Sequence, residues 1–163
     1  MGKKYIPLIG YIDDYVGRSR WDFYSWGHLA FGIASFLLLS LINTIPDWLY
    51  GPGVTIIPWW LILVAVLFIA LLWEFIENVI LWKWGMKFEN RRDSFLNFLW
   101  DVILACIGGG IMWLSKWIII DLLELAGRWF YITGIGVFVL VIIAYLIGYF
   151  ITNKNTKKAR KEH

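Results

Sequence analysis

The stretch from Ile57 to Trp82, "IPWWLILVAVLFIALLWEFIENVILW", decides the fold class. A run this long and this apolar covers the ~30 Å of a bilayer's hydrocarbon in helical form, which takes about 20 residues. Near its end stand Glu74, Glu77 and Asn78. A charge turned toward lipid costs several kcal/mol, so these groups must face a protein interior or water if the run is a membrane span. The remainder of the chain says what they face.

At 60% hydrophobic and 17% charged over 163 residues, the chain is too apolar for a soluble domain, in which about half the residues are apolar and about a quarter charged. The expected class is an all-α integral membrane protein in contact with the lipid bilayer. No repeat, low-complexity stretch or long linker divides it. The expected organisation is an N-terminal cytoplasmic or interfacial segment (1–22), a transmembrane domain (23–151) and a basic cytoplasmic tail (152–163). The single cysteine, Cys106, excludes an internal disulfide and any multi-cysteine metal site and reads as a small buried apolar residue. The opening "MGKKYIPLIGYIDDYVGRSRW" has no continuous apolar core ahead of a small-residue cleavage site, so it does not read as a signal peptide.

Four segments are long enough to span: Phe23 to Ile42, Ile57 to Trp82, Phe95 to Ser115 and Phe130 to Ile151. They predict a four-helix bundle. The first connection, "NTIPDWLYGPGVTIIP", carries Pro46, Gly51, Pro52, Gly53 and Pro58 and predicts a loop. Before the last span, "WIIIDLLELAGRWF" spaces Asp121, Glu124 and Arg128 for one helical face and predicts either a short interfacial helix or an extension of the third span. Lys3, Lys4, Arg18 and Arg20 precede the first span. Lys83, Lys87, Arg91 and Arg92 lie in the second connection, and Lys154, Lys157, Lys158, Arg160 and Lys161 in the tail. The first connection has no Lys or Arg and the third only Lys116 and Arg128. By the positive-inside rule both termini are cytoplasmic, in the cell membrane. The tail "NKNTKKARKEH" reads as a disordered topogenic segment able to touch anionic lipid. Without aromatic interleaving or a folded basic face it predicts no nucleic-acid partner.

Topology then brings the polar residues of three spans to one depth. In "WDFYSWGHLAFG", Asp22 marks the cytoplasmic boundary, Tyr24 and His28 are one turn apart, and His28 lies about 6 to 8 Å inside. The second span runs back toward the same side and puts Glu74 and Glu77 about 8 to 12 Å from its exit. In "RRDSFLNFLWD", Asp93, Asn97 and Asp101 recur every four residues along one helix face. Glu74, Glu77 and Asn78 also share a face. The prediction is a buried cluster of His28, Glu74, Glu77, Asp93, Asn97 and Asp101, supported by Asp22, Tyr24, Asn78 and Ser94, with Asp22 and Ser94 also suited to capping helix starts. Gly32, Gly108, Gly109 and Gly110, together with Gly27, suit close helix packing. The tryptophans, among them Trp59, Trp60, Trp82 and Trp84, read as an interfacial belt.

Taken together, "DFYSWGHLAFG", "WEFIEN" and "DSFLNFLWDVILACIG" resemble a bacterial family of integral membrane proteins catalogued as domain of unknown function 2585. The match falls on Asp22, Tyr24, His28 and Gly32; on Trp73, Glu74, Glu77 and Asn78; and on Asp93, Ser94, Asn97, Asp101 and Gly108. The chain is similar, more distantly, to VanZ-like membrane proteins. Phe31 stands where the family has a second histidine and Arg92 where it has a glycine before Asp-Ser. The family has no assigned activity, so the resemblance implies a site and not its chemistry.

Three functions suit the cluster. In a membrane-embedded enzyme, Glu74, Glu77, His28 and Asp101 act as catalytic groups, or, with Asp93, hold one divalent metal ion where a lipid headgroup or lipid-linked substrate arrives; hard cations take oxygen ligands and an imidazole is compatible with manganese or zinc. In a proton or cation pathway the same groups relay charge, but Ser40 and Asn43 are the only polar groups noted in the extracellular half, and a path would call for a homo-oligomer. In a structural or assembly protein the cluster fixes helix packing, with Arg91 or Arg92 paired to Asp93 and His28 paired to Glu74 or Asp101.

Overall fold

A computed structural model of the chain describes residues 16–18, 20–51, 54–87 and 91–161, with side chains to residue 157. The charges expected at residues 3 and 4, and the side chains expected to be topogenic at 158, 160 and 161, lie outside the described residues. Regular structure among them is helical throughout. Helix α1 is Tyr24–Tyr50; α2 is Trp59–Phe75 and runs on as a π-helical turn, Ile76–Leu81; α3 is Phe95–Lys116 and runs on as a second π-helical turn, Trp117–Leu122; α4 is Gly127–Lys161. All four are long and apolar enough to cross a membrane.

Three boundaries differ from expectation. Helix α1 does not stop at Ile42 but continues through Pro46 to Tyr50. Side chains hold this last part in place: Asn43 Nδ2 donates to the Ile57 carbonyl at 2.8 Å and its Oδ1 accepts from the Ile56 and Ile57 N–H groups at 3.0 Å. Thr44 Oγ1 lies 2.6 Å from the Tyr131 hydroxyl of α4. These tertiary bonds outweigh the single helical hydrogen bond that proline removes. The segment before α4 is an extension of α3, not a separate helix; it ends where Glu124 takes a positive φ of 52°, so Asp121, Glu124 and Arg128 do not share a helical face. Helix α4 runs on past Ile151 through the expected tail to Lys161, with Thr152 and Thr156 buried one turn apart.

The buried faces are apolar in the middle and polar at the ends. On α2 the buried positions are Ile62, Val66, Ala70 and Glu74, a stripe of period four that leads from the core into the acid. On α3 they run from Asn97 and Asp101 through Ala105, Gly108, Gly109 and Met112 to Lys116. Between the ends the bundle is dry: Ile33, Phe36, Ile62, Val66, Met112 and Phe130 are all fully buried. The outer faces carry exposed Leu38, Trp60, Phe68, Leu72, Leu140 and Phe150, an apolar exterior that suits lipid.

Helix α1 is central, packing most extensively on α3 and also on α2 and α4, whereas α2 and α4 hardly touch. Gly32 and Gly108 set the α1–α3 seam: a Cβ on Gly32 would overlap the Ala105 carbonyl, and one on Gly108 would overlap the Leu29 carbonyl. Each helix therefore lends a glycine to the other's backbone, the close approach that small residues permit in membranes. Gly109 meets Leu63 and Val66 of α2, while Gly110 faces open space and takes no part in packing. On α4, Gly134 fits against Leu37 and Met112, and Gly148 against Phe23.

Candidate functional site

The Gly32–Gly108 seam fixes how the polar end is assembled. His28 lies one turn before Gly32 and Asp101 about two turns before Gly108, so the close crossing brings one to the other: His28 Nε2 is 3.6 Å from Asp101 Oδ2. The α2 stripe delivers Glu74 to the other side of the ring, with Oε1 3.4 Å from His28 Nδ1. The imidazole thus sits between two buried carboxylates. Both predicted pairings of His28 are present at once.

Around this core the second connection folds inward. Asn78 Nδ2 donates to Glu74 Oε2 at 3.1 Å and to the Glu74 carbonyl at 3.2 Å; Asn78 Oδ1 accepts from the Asp93 N–H at 2.9 Å and from Lys87 Nζ at 2.8 Å. Lys87 Nζ pairs with Asp93 Oδ2 and lies 3.6 Å from Glu77 Oε1. The Lys87 side chain is only 6% exposed. Asp93 is therefore paired with Lys87 and not with an arginine; Arg91 donates to the Val16 carbonyl, and Arg92 lies 3.9 Å over the Trp82 ring. Lys87 is the functional residue that sequence reasoning missed. One signal could have found it, since a buried excess of acids requires a nearby cation, and Lys87 stands in the same connection.

The chain before α1 closes the end. Asp22, fully buried, accepts the Gly17 N–H on Oδ2 and the Tyr24 N–H on Oδ1, both at 2.8 Å. Burial pushes its carboxyl up from 3.8 to about 6, only partly offset by these hydrogen bonds. Ser94 caps α3 by accepting the Asn97 N–H at 3.2 Å, as expected, and its own N–H donates to the Gly17 carbonyl at 2.7 Å. Every residue of the predicted cluster is brought to this end of the bundle, together with Asp22, Tyr24, Asn78 and Ser94.

The cluster encloses a cavity of about 20 Å³, bordered by His28, Glu77, Asp93, Asn97 and Asp101 and by Asp22, Lys87 and Arg91. That is room for one ion or water. Asp101 Oδ1 and Asn97 Nδ2 are buried without a hydrogen-bond partner, and so is Glu74 Oε1 despite its approach to His28. Leaving such atoms unmet costs about 1–3 kcal/mol apiece, more for a charged group, so each calls for a partner, whether water or an ion. Ligand atoms of His28, Glu74 and Glu77 lie within 4.8 Å of one another, as do those of Glu74, Asp93 and Asp101. Glu74 belongs to both sets. Among the described residues, the carboxyls of Asp22, Glu74, Glu77, Asp93 and Asp101 gather at this end, with Lys87 and Arg91 the basic side chains beside them.

Beside the cavity, and sharing Tyr24, His28, Glu77 and Lys87 with it, is a chamber of about 310 Å³ whose other walls are largely apolar: Gly27, Phe31, Trp73, Leu81, Met86 and Tyr145. At the opposite end of the bundle a third space of about 370 Å³ includes Asn43, Asp47, Trp59, Lys116 and Asp121. There Lys116 Nζ donates to both Asp121 oxygens at 2.7 Å and lies 4.7 Å from the Trp59 ring centre. This end is more polar than Ser40 and Asn43 alone suggest. Trp59, the first residue of α2, packs against Phe36 and Phe130, and Cys106 is only partly buried.

Comparison with protein-family models, with curated proteins and with solved structures found no match for the chain.

Proposed function

We propose that the chain is a membrane-embedded enzyme of the cell membrane, with both termini cytoplasmic, that uses one divalent cation or paired acid and base groups on a lipid or lipid-linked substrate. The observation that carries this reading is the His28 imidazole held between Glu74 and Asp101, in a buried cavity where polar atoms of Asn97 and Asp101 have no partner. A divalent cation would take up the unused carboxylate oxygens. Either ligand set could hold it, through His28, Glu74 and Glu77 or through Glu74, Asp93 and Asp101. Mixed oxygen and imidazole donors suit manganese or zinc. Bound there, the cation would polarise a substrate oxygen or water. The carboxylates outside its shell would accept the proton.

A transport pathway is less well supported. The polar ends are separated by the fully buried apolar band of Ile33, Phe36, Ile62, Val66 and Met112.

Elemental analysis of purified protein, with a thermal shift on Mn²⁺ addition, tests the metal form. Stoichiometric metal and an upward shift are expected for the wild type, with both reduced in Glu77→Gln and Asp101→Asn. A wild type without metal, and without a shift, removes it.

A further inference from the structure

The chamber beside His28 indicates what the substrate is and how it arrives. We infer that it receives the head of a phosphate-bearing membrane amphiphile, which enters sideways from the hydrocarbon between α2 and α4; this rests on the metal reading of the site. Helix α1 forms the floor through Tyr24, His28 and Phe31, while Trp73 and Leu81 stand on the α2 side and Tyr145 on α4. Helices α2 and α4 hardly touch, so among the described residues no packing between these two helices closes that side. Elsewhere on the same two helices Leu72, Phe75, Leu146 and Ile147 are exposed, an apolar surface that suits lipid. A water-soluble substrate would gain little from such a mouth, whereas an amphiphile already lies in it.

Size and charge narrow the occupant. About 310 Å³ is at the low end for a ligand site; it admits a headgroup and its first carbons and leaves the chains in the bilayer. At the polar end Lys87 borders both chamber and cavity, with Arg91 behind it. Lys87, which already meets Asp93, Asn78 and Glu77, is the basic side chain on the chamber wall among the described residues; beside a cation held by the carboxylates its ammonium suits a phosphate, because phosphate bonds charged donors and bridges to a divalent cation. Without the cation the carboxylates repel an anion. Binding of the headgroup is therefore metal-dependent.

Photolabelling tests this. The full chain is reconstituted in phosphatidylcholine vesicles with a trace of phosphatidic acid bearing a diazirine near the head of one acyl chain. With Mn²⁺, labelling is expected on the peptides holding Phe31, Trp73 and Tyr145, falling severalfold with EDTA and with excess unlabelled phosphatidic acid. Gly27→Phe is chosen to fill the chamber; a Cβ there stands 3.7 Å from the Tyr145 ring, an ordinary contact. Labelling should be lost in it, and in the smaller Gly27→Leu, while both keep the Mn²⁺ thermal shift measured without lipid. That shift reads the metal site alone, so its absence in the wild type marks failure of the metal reading and not of the chamber. Equal competition by phosphatidylethanolamine or phosphatidylcholine overturns the phosphate assignment. Displacement by inorganic phosphate as effective as by phosphatidic acid overturns the amphiphile. Undiminished labelling in both Gly27 variants overturns the site.

Discussion

Replacing Gly32 by alanine probes how the site is held. A Cβ at Gly32 would overlap the Ala105 carbonyl oxygen and stand 2.6 Å from the carbonyl carbon and 2.8 Å from the Ala105 Cα, where ordinary contact begins at 3.4 Å. All three atoms are backbone or bound directly to it, and no rotamer can yield. Clearing the carbonyl carbon alone requires α1 and α3 to part by roughly 0.8 Å, in an interior packed too densely to absorb it. A gap of ~0.5–1 Å forfeits about a quarter to a half of each dispersion contact across the seam, and the two helices bring Ile33, Ala105 and Met112 to it, all fully buried. Overpacking costs about 1–3 kcal/mol in general; with backbone on the far side the upper end applies. Gly108→Ala, blocked by the Leu29 carbonyl and the Ile33 nitrogen, belongs in the same range. Gly110→Ala meets nothing within 4 Å and should be neutral or slightly stabilising. Reversible unfolding in mixed micelles titrated with dodecyl sulfate, followed by tryptophan fluorescence, measures all three. His28 and Asp101 would separate with the helices, so Gly32→Ala should also weaken the Mn²⁺ shift. If Gly32→Ala unfolds at the same detergent fraction as Gly110→Ala, the close seam is wrong, and the geometry built on it falls too.

Asp22 predicts a pH dependence. With its carboxyl raised from 3.8 to about 6, the folded state holds more protons than the unfolded between those values, so stability declines as pH rises through the window and levels above it. At ~1.4 kcal/mol per unit the decline approaches about 3 kcal/mol. Asp22→Asn should flatten that part of the profile; an unchanged slope refutes the assignment. Lys87→Met leaves Glu77 and Asp93 without their cation and should cost about 3–5 kcal/mol, as for other broken buried pairs. Lys87→Arg should cost less, and Mn²⁺ should stabilise Lys87→Met more than the wild type, because the ion then meets no competing ammonium. Detergent titration with and without Mn²⁺ reads both effects.

What the sequence makes legible is the part governed by hydrophobicity and by helical period within a span. Burying a charge is so costly that Glu74, Glu77, Asp93 and Asp101 had to converge, and His28 with them; depth and facing were enough to place all of them together. Gly32 and Gly108 were readable as packing positions for the same reason, since little else justifies glycine mid-helix in lipid. The fate of Lys87 was not legible. In a short basic connection, a lysine held inside by Glu77, Asn78 and Asp93 looks the same as one that merely marks a cytoplasmic side. Its position depends on tertiary partners, as does the helical state of residues 43–50, where Asn43 and Thr44 hold a proline-containing turn against its local preference.

The third failure has a single geometric cause. Reading faces from sequence assumes that residues three and four apart lie above one another. Where a helix widens to a π turn, the neighbour becomes the fifth residue. Lys116 and Asp121, five apart, bond at 2.7 Å because residues Trp117–Leu122 form such a turn; on an α-helix they would point apart, which is why Asp121 was grouped instead with Glu124 and Arg128. The other π turn, Ile76–Leu81, carries Glu77 and Asn78. Both turns lie where an apolar stripe becomes polar: after Glu74 on α2 and after Lys116 on α3. The wider turn carries the polar residue that follows each apolar stripe, outside the fully buried positions. At the His28 end that residue is Glu77, which belongs to one candidate ligand set and borders both the cavity and the chamber. The departure from α-helical period thus misplaces Asp121 at the far end, whereas Glu74, Glu77 and Asn78, three and four apart, are legible with the ordinary period.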